Sequence, residues 1–130
     1  MFAMIIRNTG GPEVLEYAEV PTPQPGQIRL RIDCAGVNPA DWKNRQGMLA
    51  AFRPCSFPCI IGSDAAGVID AIGEGVSGFS PGERVFTPTN HGQGGQGSHA
   101  EFARFATTPC VRSPRRTVRS RQDTRAARSC

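Results

Sequence analysis

The side chains with the clearest capacity for chemistry fall in two short runs, Asn38-Pro39-Ala40-Asp41-Trp42 and Gly62-Ser63-Asp64. The Asn38 amide both donates and accepts hydrogen bonds. The same residue, standing before a proline at the first helical position, is suited to cap a short helix. Trp42 reads by type as a core anchor, and Asp64, as a lone acid, as a turn or hydrogen-bonding residue. Cys55 and Cys59 are spaced C-x3-C, and neither His91 nor His99 stands at a ligand spacing from them. They read as buried or incidental thiols rather than a metal site. Gly92-Gln93-Gly94-Gly95-Gln96-Gly97 spells G-x-G-x-x-G, but a dinucleotide fingerprint must close a strand, open a helix and sit in a βαβ unit. Here it follows Pro88-Thr89-Asn90-His91 and precedes a strand-like segment, so it reads as a loop.

These residues must be positioned by a chain of 130 residues that contains 15 glycines and 11 prolines. That length suits one domain, and that turn content favours short strands over long helices. Strands are expected at Phe2–Arg7, Val14–Val20, Gln27–Cys34, within Gly62–Gly73, at Arg84–Phe86 and within Ser98–Phe105. The clearest of them alternates Ile28, Leu30, Ile32 and Cys34 with Arg29, Arg31 and Asp33, which predicts one buried and one solvated face. Pro21, Pro23 and Pro25 forbid a central strand between the second and third segments. A short helix is expected from Asn38 to about Gly47, a loop over Gly75–Gly82, and small residues ahead of Val68 imply close approach by another backbone or a ligand. The whole reads as mainly β, an all-β barrel or sandwich with one or two short helices.

The net charge of +4 is unevenly spread. Residues 1–106 carry eight basic and ten acidic side chains, whereas 107–130 carry seven arginines and one acid, Asp123. With almost no large apolar side chain, 107–130 cannot offset the entropy of ordering and is expected to be a disordered basic tail. Lacking Phe, Tyr and Trp, it offers nothing for bases to stack on, so nucleic acid is not expected as a partner and any such binding would be weak and non-specific. No run approaches the roughly 18 apolar residues of a membrane span, and the start has no secretory layout. Five cysteines with no C-x2-C pair suggest reduced thiols. A soluble, cytoplasmic protein is expected.

Five motifs then occur in a telling order: Gly10-Gly11-Pro12-Glu13-Val14-Leu15, Ala35-Gly36-Val37-Asn38-Pro39-Ala40-Asp41-Trp42, Gly62-Ser63-Asp64-Ala65-Ala66-Gly67-Val68, Gly73-Glu74-Gly75-Val76 and Pro81-Gly82-Glu83-Arg84-Val85. Together they resemble the N-terminal catalytic domain of the zinc-independent medium-chain dehydrogenases/reductases, in the quinone oxidoreductase or zeta-crystallin-like branch. The resemblance covers residues 1–106 and implies a GroES-like, partly open β-barrel forming one wall of a cleft whose other wall is a Rossmann domain. It implies NADPH as cofactor, hydride transfer to a quinone or enone, and no metal.

The same resemblance implies site residues. Asn38 would lie beside nicotinamide and substrate, Asp41 and Trp42 would line the cleft, and Asp64 would stand where the family has an acid that orients its neighbours. A cysteine in the place of Asn38 and a histidine in that of Ser63 mark the zinc alcohol dehydrogenases, so zinc is not expected. Where the family continues into a Leu- and Ala-rich helix, this chain switches at about Thr107 to an Arg-, Ser- and Thr-rich sequence, the signature of a frameshifted or truncated reading. The coding DNA downstream of Thr108 tests that idea directly. NADPH is therefore not expected to bind this chain tightly, little activity is expected of it alone, and self-association through uncovered apolar surface is expected. The alternative from a different class is a non-catalytic β-barrel interaction module with a basic tail that binds nucleic acid non-specifically.

Overall fold

The structure is a computed structural model that describes residues 1–24, 28–89, 91, 95–105 and, for their backbone, 111–112. The strands in chain order are β1 (Phe2–Ile6), β2 (Glu16–Glu19), β3 (Ile28–Cys34), β4 (Cys59–Ile60), β5 (Asp64–Ile72), β6 (Arg84–Pro88), β7 (Phe102–Phe105) and β8 (Val111–Arg112). One α-helix, α1 (Pro39–Arg45), and one 3-10 turn at Pro12–Val14 complete the description. The strands form two antiparallel sheets, β2-β1-β4 and β7-β3-β5-β6-β8, that do not close into a barrel. The expected mainly β, partly open architecture is what the chain adopts. Within 107–130, expected to be disordered, only Val111 and Arg112 are described, pairing with Phe86 and Val85.

Strand β3 lies between β7 and β5, and its Ile28 and Leu30 are fully enclosed with Ala65, Ile69, Val85, Ala103 and Phe105. Burying each large aliphatic contributes ~1.5–3 kcal/mol, which makes this layer the main cohesive element. The predicted alternation holds for Ile28 and Leu30 but not to the end of the strand. Register shifts between Arg29 and Leu30 and between Ile32 and Cys34 turn the far end outward, leaving Cys34 exposed. The predicted close approach falls at Gly67, where a Cβ would lie 3.0 Å from the Ile32 Cα and collide with the Arg31 carbonyl. Strand β5 can therefore cross the β3 bulge only with glycine there.

The second sheet has its own small core of Ala3, Ile5 and Ile60. Segment 97–101 stitches the two sheets together. Met4 N–H donates to the His99 carbonyl at 2.8 Å, Glu101 N–H to Phe2 at 3.1 Å, and Ile32 N–H to Glu101 at 2.9 Å. His99 N–H reaches the Ile61 carbonyl at 2.9 Å, and Gly97 N–H the Ile60 carbonyl at 2.9 Å. This fixes the turn at 60–63, and with it the start of β5, against the loop that leaves β3.

Candidate functional site

The loop 35–38 leaves β3 and enters α1 at Asn38, its N-cap residue, with Pro39 in the first turn. The Asp41 carboxylate closes back on this entry, with Oδ2 accepting the Asn38 backbone N–H at 2.7 Å. Its other oxygen, Oδ1, accepts the Ser63 hydroxyl at 2.5 Å. One residue on, at the start of β5, Asp64 grips the same loop from outside. Its Oδ1 accepts Gly36 N–H at 2.6 Å and its Oδ2 accepts the Asn38 side-chain amide at 2.9 Å. The two acids thus hold the two ends of Asn38, backbone and side chain, and charge-assisted bonds of this length are the stronger kind. His99 adds a third tie, its Nε2 lying 3.0 Å from the Gly36 carbonyl.

Of the four site residues expected from sequence, hydrogen bonds join Asn38 to Asp41 and to Asp64, while Trp42 follows Asp41 on α1. Asn38 and Asp64 are half-buried at the surface of the loop. Asp41 is 2% exposed, with both oxygens engaged by Asn38 and Ser63, so it touches the interior rather than solvent. Trp42 is 39% exposed, with the Lys43 amine 5.6 Å from its ring centre, and is not a core anchor. Beside Asp64 runs a groove of about 450 Å³ lined by Cys34, Gly36, Ala66, Phe86 and Pro88 among others. Phe86, 47% exposed, gives it an aromatic face. Sequence reading had placed Phe86 only as a strand residue, because what makes it part of the site is the register that sets Ala66 opposite it.

His91 was also missed as a site residue. It is fully buried, 3.9 Å from Asp41 through its Nε2, and neither ring nitrogen reaches a hydrogen bond of full geometry. Burial lowers its pKa below the ordinary histidine value, against the opposing pull of the Asp41 charge; Arg53 pushes it further down. The ring is neutral at pH 7. Thr89, just before it, donates its hydroxyl to the Gly62 carbonyl and its N–H to Ser63 at 2.8 Å, which tethers the His91 segment to the Ser63 turn.

The glycine motif has a structural use. Gly92–Gly94 lie outside the described residues, but Gly97 packs so tightly that a Cβ would collide with the Ile60 and Ile61 carbonyls. The segment runs on into β7 rather than a helix. The described residues therefore do not build the strand–loop–helix grip of a dinucleotide. Nor do they gather three His, Cys, Asp or Glu side chains around a point where a metal ion would sit. The thiols are spread, with Cys59 buried, Cys55 half-buried beside the Asn44 amide and Cys34 exposed.

The fold and this loop-and-acid arrangement define a GroES-like β domain, and the chain belongs to the alcohol dehydrogenase GroES-like domain family, whose pattern matches residues 24–115. Its relatives are quinone oxidoreductases of the medium-chain dehydrogenase/reductase type. A chloroplast envelope quinone oxidoreductase homolog of Arabidopsis thaliana is 37% identical over 107 residues, 81% of this chain and 32% of its own length. The quinone oxidoreductase of Rattus norvegicus is 39% identical over 106 residues, 79% of this chain and 30% of its own. Among solved structures, a mycobacterial protein in complex with NADPH superposes with a TM-score of 0.76 at 32% identity, covering 88% of this chain and 34% of that one. The Pseudomonas syringae quinone oxidoreductase gives 0.75 at 30% identity, over 88% and 34%. The chain spans about a third of the length of these relatives. Among the described residues no helix is long and apolar enough to cross a membrane.

Proposed function

We propose that this domain is the acceptor-side wall of a reductase that passes a hydride from NADPH to a quinone or enone without a metal. The observation that carries the reading is the double hold on Asn38, with Asp64 on its amide and Asp41 on its backbone. An amide held this way keeps a second N–H for a carbonyl oxygen of a planar acceptor, and the groove that Phe86 lines runs beside the Asp64 that holds it. The nicotinamide, when bound, supplies the hydride, and the chemistry is the cofactor's own. What these residues contribute is orientation and exclusion of water. Asn38 and Asp64 touch or directly orient the acceptor, Trp42 flanks the cofactor side, and Asp41 is a positioning residue that acts through Asn38 and Ser63.

The described residues build no strand–loop–helix grip for a dinucleotide, so the 130-residue chain by itself binds NADPH weakly and turns over little. Residues 1–106 are the working domain, to which Val111–Arg112 add an edge strand beside β6. The test is a titration of the 15N-labelled chain with duroquinone, whose ring carbons are all substituted and resist attack by thiols. Movement of the Asn38 side-chain amide, Gly36 and Phe86 signals supports the reading, and a response confined to other residues refutes it. A clear quinone-dependent loss of NADPH absorbance catalysed by this chain alone would overturn the expected inactivity.

A further inference from the structure

We propose that His91 is a positioning residue for the cleft, a buried imidazole whose neutral form leaves Asp41 to hold Ser63 and the Asn38 backbone, and whose protonation draws the Asp41 carboxylate away from Ser63. The inference rests on reading the Asn38–Asp64 loop as the working edge of the cleft. Its starting point is an anomaly of burial. Native proteins pair almost all their buried polar atoms, yet both nitrogens of His91 are enclosed without a partner of full geometry. The carboxylate facing it is that of Asp41, whose Oδ1 lies 3.9 Å from Nε2 and is already committed to the Ser63 hydroxyl at 2.5 Å.

This geometry has two arrangements close in space. With His91 neutral, nothing competes with Ser63, and the carboxylate sits between Ser63 and the Asn38 N–H. With His91 charged, a movement of about 1 Å converts the 3.9 Å separation into a charge-assisted bond of roughly 2.7–2.9 Å. Because Asp41 is buried and belongs to α1, it cannot move without shifting the hydroxyl and the backbone N–H that it holds. Both of those groups border the loop carrying Asn38, so the charge on His91 is transmitted to the amide in the cleft.

The charged and titratable groups facing the ring come from three elements. Asp41 on α1 favours the charged form, Arg53 from the turn after α1 opposes it, and His99 from the stitching segment opposes it when it is itself charged. The Gly62 carbonyl at the Ser63 turn favours the charged form more weakly than Arg53 opposes it. Burial outweighs these pulls, so the neutral arrangement holds at pH 7 and the charged one is reached on acidification. Sequence spacing offers no sign of this pair, since residues 41 and 91 meet only through the return of the chain after β6.

The experiment follows the 130-residue chain from pH 7.5 to 4.5 with three simultaneous signals. These are the histidine ring resonances, the Asn38 side-chain amide, and emission from Trp42, the only tryptophan, which adjoins Asp41. The inference expects the His91 ring, the Asn38 amide and the Trp42 emission to change with one midpoint below the ordinary histidine range while the far-UV circular dichroism stays constant. It also expects His91→Gln to abolish the emission step and His99→Gln to keep it. A step that survives in His91→Gln, a His91 titration that leaves the Asn38 amide unmoved, or loss of the β signal at the same pH overturns it. If His91→Gln fails to fold, the coincidence of midpoints in the unsubstituted chain decides alone. None of these signals needs NADPH or a quinone. Failure of the reductase reading would leave the titration intact, and failure of the titration would leave the duroquinone response intact.

Discussion

Removing the Asp64 carboxylate is the perturbation that bears most directly on how the site is held. Asp64→Ala deletes two hydrogen bonds to a charged acceptor, from Gly36 N–H at 2.6 Å and from the Asn38 amide at 2.9 Å. Bonds to charged groups contribute ~1.5–3 kcal/mol each, and half-burial argues for the lower end, so the pair is worth about 3 kcal/mol. For a folded unit of this size each kcal/mol moves the melting temperature by roughly 4–8 °C, giving a drop of at least about 12 °C. Asp64→Asn, which keeps one acceptor oxygen, should lose about half as much. The assay is urea unfolding of the single variants together with Asn38→Ala and the double variant. The cycle should return a coupling of about 1–2 kcal/mol between residues 38 and 64. A loss below about 0.5 kcal/mol in Asp64→Ala, or no coupling, would show that the distances describe a contact without energetic weight and would remove the basis for a fixed Asn38 amide.

Gly97→Ala places a methyl against the Ile60 and Ile61 carbonyls, which are backbone and cannot swing away; thermal melts should show a loss of about 3 kcal/mol or failure to fold, while a mild effect would mean the stitching segment is loosely packed. The lowered pKa of His91 makes stability pH-dependent with a definite sign. The unfolded chain takes up the histidine proton first, so stability is complete above about pH 6.5 and falls as the pH drops toward the folded value, by at most ~1.4 kcal/mol per pH unit. Urea midpoints measured from pH 7.5 to 5 check this, with His91→Gln expected to flatten the profile. Finally, Val37, Trp42, Met48, Phe52 and Phe57 leave much apolar surface exposed, so light scattering should show association that rises with concentration and weakens when Val37 and Phe52 are changed to serine.

What could be read from the sequence followed the physics that acts locally. The period-two run of β3 announces Ile28 and Leu30 as core, and an asparagine ahead of a proline announces the entry to α1. The same pattern misplaced Cys34, because the bulge after Ile32 depends on β5 pairing alongside it. Strand β4 was invisible in the sequence because two residues carry no periodicity, and Ile60 is a strand only through its pairing with Ile5. At the site, Asn38, Asp41, Trp42 and Asp64 stood out through their motifs, but motifs say nothing about burial. Asp41 is enclosed and Trp42 exposed, the reverse of what their polarity suggests. Ser63 was noticed only for the ligand it is not, and its bond to Asp41 is a long-range contact. His91 and Phe86 acquire their places from the path of β6 and the turn after it, which no local signal specifies.

The most direct measurement of the central claim is the set of intermolecular nuclear Overhauser effects between the methyl groups of duroquinone and the labelled chain. The account predicts contacts to the Asn38 side-chain amide and the Phe86 ring, weakened at least tenfold in affinity by Asp64→Ala through the loosened amide. Contacts confined to the Pro21–Pro23 groove by Arg104 or to the Phe2–Tyr17 aromatic pair, unchanged by that substitution, would contradict it.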